Sequence, residues 1–354
     1  MHIQLVIFLI FGVVAATITN VLLLNFSQSL GIRNKNDITV RWSNQSKPSL
    51  GGISFFVVFV FASLFYSFFP QNEYIFHNRE FIGLFIAGTL AFLMGLADDA
   101  YNTKPLIKFG VQIACGIVLI KTDSVIEISQ FTWLNNALTI FWVVLLMNSL
   151  NMLDNMDGIT GTVVLFITIT CLGSNWIING MNADFWSLLY CAMIGGFIGF
   201  LRYNIHPSKL FMGDAGSQFI GLFIAFITID DLWMVGTATD YKLWIGAAIV
   251  TVCFTAPFSD TLTVVINRLK RGQSPMVGGK DHTTHHLVYA GMNDLKVWYI
   301  FLVISILACI FSLTMVFLVT DNLSKVGTVF IVFPIFIFLT LFGVTLKYKA
   351  KNLK

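Results

Sequence analysis

The sequence predicts an all-α protein threaded many times through a membrane, and three observations carry that prediction. Of 354 residues, 56% are hydrophobic and only 11% charged, against about 25% charged in an ordinary soluble domain. The apolar residues gather in long runs at 3–24, 51–70, 81–97, 106–120, 138–150, 159–178, 185–201, 211–229, 243–266, 297–319 and 325–346. Within each run Phe, Leu, Ile and Val crowd without the period-2 alternation of a membrane barrel, which leaves helices as the way to satisfy the backbone in lipid.

Each run justifies its element by length. The first, about 22 residues, is followed by Arg33 and Lys35 rather than preceded by a basic leader, so a retained first helix is expected instead of a cleaved signal. Most of the others approach the roughly 20 residues of a full crossing. Run 138–150 is too short and must borrow from its flanks. About 11 spans follow, in a single membrane domain covering 1–354, with no fixed-period repeat.

Charge sets the orientation. With the N-terminus outside and the spans alternating, Arg79, Lys121, Lys242 and Lys325 fall outside, and the other seventeen of the 21 lysines and arginines fall inside. That asymmetry follows the positive-inside rule and predicts a cytoplasmic C-terminus and a cytoplasmic 267–296 loop. The five cysteines (Cys115, Cys171, Cys191, Cys253, Cys309) lie in apolar runs without a CxxC pair, and read as buried thiols.

The acids carry the chemistry. Asp184 and Asp321 stand in outer polar loops and read as solvated charges. Asp98, Asp99, Asp154, Asp157, Asp214 and Asp260 stand beside or within apolar runs on the inner side, where ionisable groups are costly and mark function. Their segments are "LADDAYNTK", "NMLDNMDG", "FMGDAGS" and "FSDTL", accompanied by "SKPSLGG", "RYN" and "GGKDHTTHHL". So many carboxylates repel unless a cation joins them. Oxygen ligands favour Mg²⁺ or Mn²⁺, and Mg²⁺ usually shares itself between few carboxylates and substrate phosphates.

Gly51, Gly52, Gly158, Gly213 and Gly216 flank these residues. They serve either phosphate contact at helix termini or close helix packing. Asp154 and Asp157 are three apart, so a continuing helix would turn both to one face, extended by Asn148 and Asn151; capping at a span boundary is the simpler reading of Asp157 alone. Asp214 is the candidate direct metal ligand, with an N-cap of a helix beginning near Gly216 as the alternative. His282, His285 and His286, beside Lys280, Arg268 and Arg271, read as an anion-binding lid. Lys47 and Lys104 are candidate phosphate contacts; for Lys104, Lys209 and Arg41 a role in setting topology is an equal reading.

The ordered set "SKPSLGG", "DD", "NMLDNMDGITG", "FLRYN…FMGDAGS" and "DHTTHHL" resembles the polyprenyl-phosphate N-acetylhexosamine-1-phosphate transferases, glycosyltransferase family 4, from about residue 41 to 291. The resemblance implies transfer of a sugar-1-phosphate from a UDP-sugar to a polyprenyl phosphate such as undecaprenyl phosphate, releasing UMP. It implies Mg²⁺ dependence and a site on the cytoplasmic face of a bacterial inner membrane. By motif, Asp98 and Asp99 would meet lipid phosphate or metal, Asp154 and Asp157 would be catalytic carboxylates, and Asp214 would bind metal. Asn151 and Asn204 would lie near the substrates, and His282, His285 and His286 would form the histidine motif. Asn155 stands where the family pattern has its first glycine. The interrupted "DHTTHHL" resembles the amino-sugar branch, which points to UDP-N-acetylglucosamine as donor, rather than lipid I synthase with its three adjacent histidines. A homodimer is compatible with the reading, and no nucleic acid is expected as partner. An ion-coupled transporter would place its carboxylates near the midplane, often in inverted repeats; an intramembrane zinc protease would show HExxH.

Overall fold

The computed structural model describes residues 2–29, 47–69, 75–238, 242–274, 278–321 and 328–348. Arg33, Lys35, Arg41, Lys325, Lys349, Lys351 and Lys354 lie outside the described residues. In chain order the α-helices are α1 (His2–Ser29), α2 (Ile53–Ser67), α3 (Arg79–Tyr101), α4 (Pro105–Lys121), α5 (Thr132–Leu153), α6 (Ile159–Asn179), α7 (Phe185–Asn204) and α8 (Gly213–Thr228). They continue with α9 (Lys242–Cys253), α10 (Thr255–Lys270), α11 (Thr283–Tyr289), α12 (Asp294–Thr320) and α13 (Val332–Lys347). No strand occurs among the described residues.

Among the described residues each predicted run coincides for most of its length with helix, but the runs are not equal. Eight helices among the described residues are long and apolar enough to cross a membrane: α1, α3, α5, α6, α7, α8 with its continuation to Gly236, α12 and α13. The chain is thus a multi-pass membrane protein. Helix α5 reaches 22 residues by taking 132–137 from one flank and 151–153 from the other, the borrowing its short apolar run demanded. Helices α2 and α4 stop at 15 and 17 residues. The run 243–266 is two helices, α9 and α10, bent by 81°, which bring the count to nine if they form one span. Pro257 explains the break: it lacks the N–H that would have reached back to the carbonyl of Cys253.

What positions the site is the way helix ends meet at one end of the bundle. Gly51 N–H donates to Phe211 O at 2.9 Å, Gly52 N–H to Met212 O at 2.8 Å, and Phe211 N–H to Pro48 O at 3.0 Å. These bonds splice the segment before α2 to the segment before α8. A Cβ on Gly52 would collide with the Gly216 backbone, and the reverse, so two glycines let the helices touch. Trp298 Nε1 donates to Thr162 Oγ1 at 2.9 Å, tying the start of α12 to that of α6. Beneath this layer a phenylalanine-rich core, including Phe55, Phe59, Phe81, Phe197, Phe200 and Phe219, is fully buried.

Candidate active site

The centre is built from α3, α4, α5 and α8. Asp98, 6% exposed, sits in the last turns of α3. One oxygen accepts from Thr103 N–H at 2.8 Å and Thr103 Oγ1 at 2.7 Å. The other pairs with Lys108 Nζ from the first turn of α4. Lys108 Nζ also lies 3.8 Å from Asp214 Oδ2, so one ammonium stands between two carboxylates. Asp214 Oδ1 accepts from Asn151 Nδ2 at 2.5 Å, and the same amide donates to Ser217 Oγ at 2.8 Å. Asp99 Oδ2 accepts from Ala215 N–H at 2.9 Å. Helix α8 therefore opens at Gly213, not near Gly216, and Asp214 occupies its first turn without capping a backbone N–H; the N-cap reading fails.

The Asp154–Asp157 pair does not share a helix face. Helix α5 ends at Leu153, with Asp154 at its C-cap. Asn155 Nδ2 turns back to Met152 O at 2.9 Å. Gly158 adopts φ +79 to start α6, a conformation that favours glycine. The turn sends Asp157 elsewhere: its Oδ2 accepts from Ser208 N–H at 3.1 Å, contacts His206 Nδ1 at 3.2 Å, and lies 3.9 Å from Lys47 Nζ. Lys47 also donates to Ser208 Oγ at 3.1 Å. Asn151 and Asn148, three apart on the continuous α5, do share a face, and Asn148 Nδ2 donates to Gln112 Oε1 at 2.7 Å. Asn204 holds the turn itself, accepting from Gly158 N–H at 2.9 Å and donating to Leu210 O at 2.9 Å. Lys104, just before α4, is exposed and outside these bonds.

The histidines are not a loose lid. They lie on and just before α11, at 6%, 2% and 4% exposure for His282, His285 and His286. Arg268 grips Asp281 through Nε at 3.0 Å and Nη2 at 2.6 Å, and Arg271 adds a third bond. These arginines are therefore spent on a clasp rather than offered to a ligand. Burial would raise the Asp281 carboxyl, but the Arg268 bonds and charge, with Arg271, bring it down to about 2. Burial pushes His285 down to about 3, and it pushes His286 down as well. His282 Nδ1 meets Asp260 Oδ2 at 2.8 Å. Thr284 Oγ1 donates to Asn155 Oδ1 at 2.5 Å, joining α11 to the α5–α6 turn.

Asp98, Asp99 and Asp214 are all-oxygen donors gathered at one spot, which suits a hard cation. Among the described residues, no three His, Cys, Asp or Glu side chains form a ready metal cage. Lys108 was counted in the sequence only as a topology charge. Its position inside the apolar run 106–120 was the signal, because a lysine within a span needs an anionic partner. His206, Ser208 and Thr103 carried no sequence signal beyond proximity to the motifs.

Residues 81–232 match the family described as Glycosyl transferase family 4. The chain is 26% identical over 304 residues to a Bacillus subtilis (strain 168) protein named "Probable undecaprenyl-phosphate N-acetylglucosaminyl 1-phosphate transferase", covering 82% of this chain and 78% of that one. It is 26% identical to the decaprenyl-phosphate N-acetylglucosaminephosphotransferase of Mycolicibacterium smegmatis (strain ATCC 700084 / mc(2)155), covering 75% and 71%. It is 27% identical to the phospho-N-acetylmuramoyl-pentapeptide-transferase of Thermoanaerobacter sp. (strain X514), covering 75% and 83%. The matched stretch contains Asp98, Asp99, Lys108, Asn151, Asp157 and Asp214; Lys47, Asp260 and the α11 histidines lie outside it.

Proposed function

We propose, from the likeness to the polyprenyl-phosphate N-acetylhexosamine-1-phosphate transferases, that the chain moves N-acetylglucosamine-1-phosphate from UDP-N-acetylglucosamine to undecaprenyl phosphate. UMP is the other product. The observation that carries the reading is the Asp98–Lys108–Asp214 arrangement, with Asn151 and Asp99 beside it.

The acceptor phosphate oxygen attacks the donor's β-phosphorus, a new P–O bond forms, and the bond to the UMP oxygen breaks. A phosphomonoester has a second pKa of about 6 and is largely dianionic at neutral pH, so the nucleophile needs little activation. The residues' task is to align and neutralise phosphates. Lys108 supplies fixed positive charge next to both carboxylates. Asp98, ion-paired and accepting twice from Thr103, has little lone-pair capacity left for a covalent or strong-base role, which favours a positioning one. Asp214 and Asp99 would hold Mg²⁺, which when bound supplies charge neutralisation at the transferring phosphates. Lys47, pointed at Asp157 and Ser208, adds cationic charge on the neighbouring side.

The charge asymmetry of the loops favours an N-out, C-in topology in the bacterial cytoplasmic membrane, with this site inside. Purified protein offered undecaprenyl phosphate with a panel of UDP-sugars tests the proposal: UDP-N-acetylglucosamine should yield lipid-linked product and UMP, and chelation should stop it. Product only from UDP-N-acetylmuramoyl-pentapeptide would select lipid I synthase, the reading that the Thermoanaerobacter relative favours.

A further inference from the structure

Asp260 is a fully buried carboxylate, 0% exposed, on α10 just past the bend. Neither the metal-binding nor the phosphate-aligning roles above use it. Its hydrogen-bond partners come from α11 and the residue before it. Oδ1 accepts from Thr283 N–H at 2.8 Å and Thr283 Oγ1 at 2.6 Å, and Oδ2 meets His282 Nδ1 at 2.8 Å. A carboxylate so enclosed keeps its charge only if its partners are donors or cations. The ring of His282 is thus bound through Nδ1, and no described residue bonds Nε2. Two residues on, Thr284 is bonded to Asn155 in the turn that carries Asp154 and Asp157. The ring therefore stands at the edge of the candidate site with one nitrogen committed and one available.

We propose that Asp260 is a positioning residue that fixes the ring of His282 through Nδ1 and so directs Nε2 to a phosphate oxygen of the anionic substrate, to which it donates when the ring carries both protons. The identity of that phosphate rests on the proposed phosphoglycosyl transfer, while the Asp260–His282 unit stands on geometry alone. A buried carboxylate on Nδ1 fixes the ring's orientation and stabilises the imidazolium. Other groups bear on the ring. His285 stacks edge-on with centroids 5.4 Å apart and is uncharged at neutral pH. Asp281 precedes His282 in sequence, and Arg268 and Arg271 neutralise it. Asp260 is the anion bonded directly to the ring, so its removal should change what the ring does.

The test is a double-mutant cycle in the full chain with pH–rate profiles. His282→Gln is expected to lower kcat about 100-fold and Asp260→Asn about 10- to 100-fold, within the range of a positioned proton donor. The double variant should lose no more than His282→Gln alone, because the two act as one unit. Asp260→Asn should also move the alkaline limb of kcat to lower pH, since an imidazole without its carboxylate gives up its proton more easily. Losses that multiply in the double variant, or an unmoved alkaline limb, would overturn the proposal. Should Asp260→Asn not insert, ¹⁵N-imidazole spectra of the wild-type protein decide: the His282 ring, assigned by its loss in His282→Gln, must carry a proton on Nδ1, and an Nδ1 without one overturns the dyad. Absence of sugar-phosphate transfer by the wild type would sink the proposed reaction and leave the spectroscopic arm to judge the dyad.

Discussion

Single side chains decide more here than their number suggests, because the bundle has little charge to spare. Asp214 lies in the first turn of α8, where an acidic group gains about 0.3–1 kcal/mol from the helix dipole and caps nothing. Asp214→Asn should therefore leave a folded, inserted protein with thermal stability nearly unchanged, while kcat falls about 10²- to 10³-fold, as for loss of one preorganised charge contact. Near-normal turnover at limiting Mg²⁺ would remove Asp214 from the site. His285 makes a second residue-level prediction. Burial holds it at about 3 against an unfolded value near 6.5, so the unfolded chain binds the extra proton. Its stabilising contribution is complete above pH 6.5 and is lost as pH falls from 6.5 towards 3, on the order of a few kcal/mol. Asp281, held at about 2, contributes above its ordinary carboxylate range and loses its share only as pH falls through about 4 towards 2. Melting in detergent from pH 7 to 5 should accordingly flatten in His285→Gln. An equally steep acid slope in that variant would contradict the burial argument.

At the scale of elements, the turn between α5 and α6 matters most. Gly158→Ala would pay about 1–2 kcal/mol for a left-handed conformation, and its new Cβ would press on Trp298 at 3.0 Å. Gly180, also at positive φ, has nothing within 4 Å of an added Cβ and sits at the opposite end of α6. Both alanine variants should lose some stability, yet only Gly158→Ala should lose activity, because it alone displaces Asp157. Equal activities would mean the turn's shape does not matter. This turn also marks where sequence reading stopped. The apolar runs were legible as helices because membrane burial leaves few alternatives, and the motifs were legible as helix-end clusters. The turn hid behind a three-residue spacing that looks helical until Gly158 reverses the chain. The break at Phe254 hid inside continuous hydrophobicity, with only Pro257 to signal it. Lys108 was read as a topology charge because partners 10 and 106 residues away in Asp98 and Asp214 leave no local pattern.

Across the whole molecule, the proposal requires the clustered helix ends to face the cytoplasm. Ser274→Cys, exposed beyond α10, should resist a membrane-impermeant thiol reagent applied from outside, whereas His77→Cys, exposed before α3, should react; the five native cysteines are all buried. The reverse pattern would invert the topology and place the site on the wrong side for a cytoplasmic nucleotide donor. The central claim, however, concerns which bond breaks. UDP-N-acetylglucosamine labelled with ³²P at the β-phosphate, incubated with purified protein, Mg²⁺ and undecaprenyl phosphate, reports it directly. The account predicts that the label enters the lipid-linked product and leaves unlabelled UMP. Label remaining with the nucleotide as UDP, with sugar alone transferred, would contradict it.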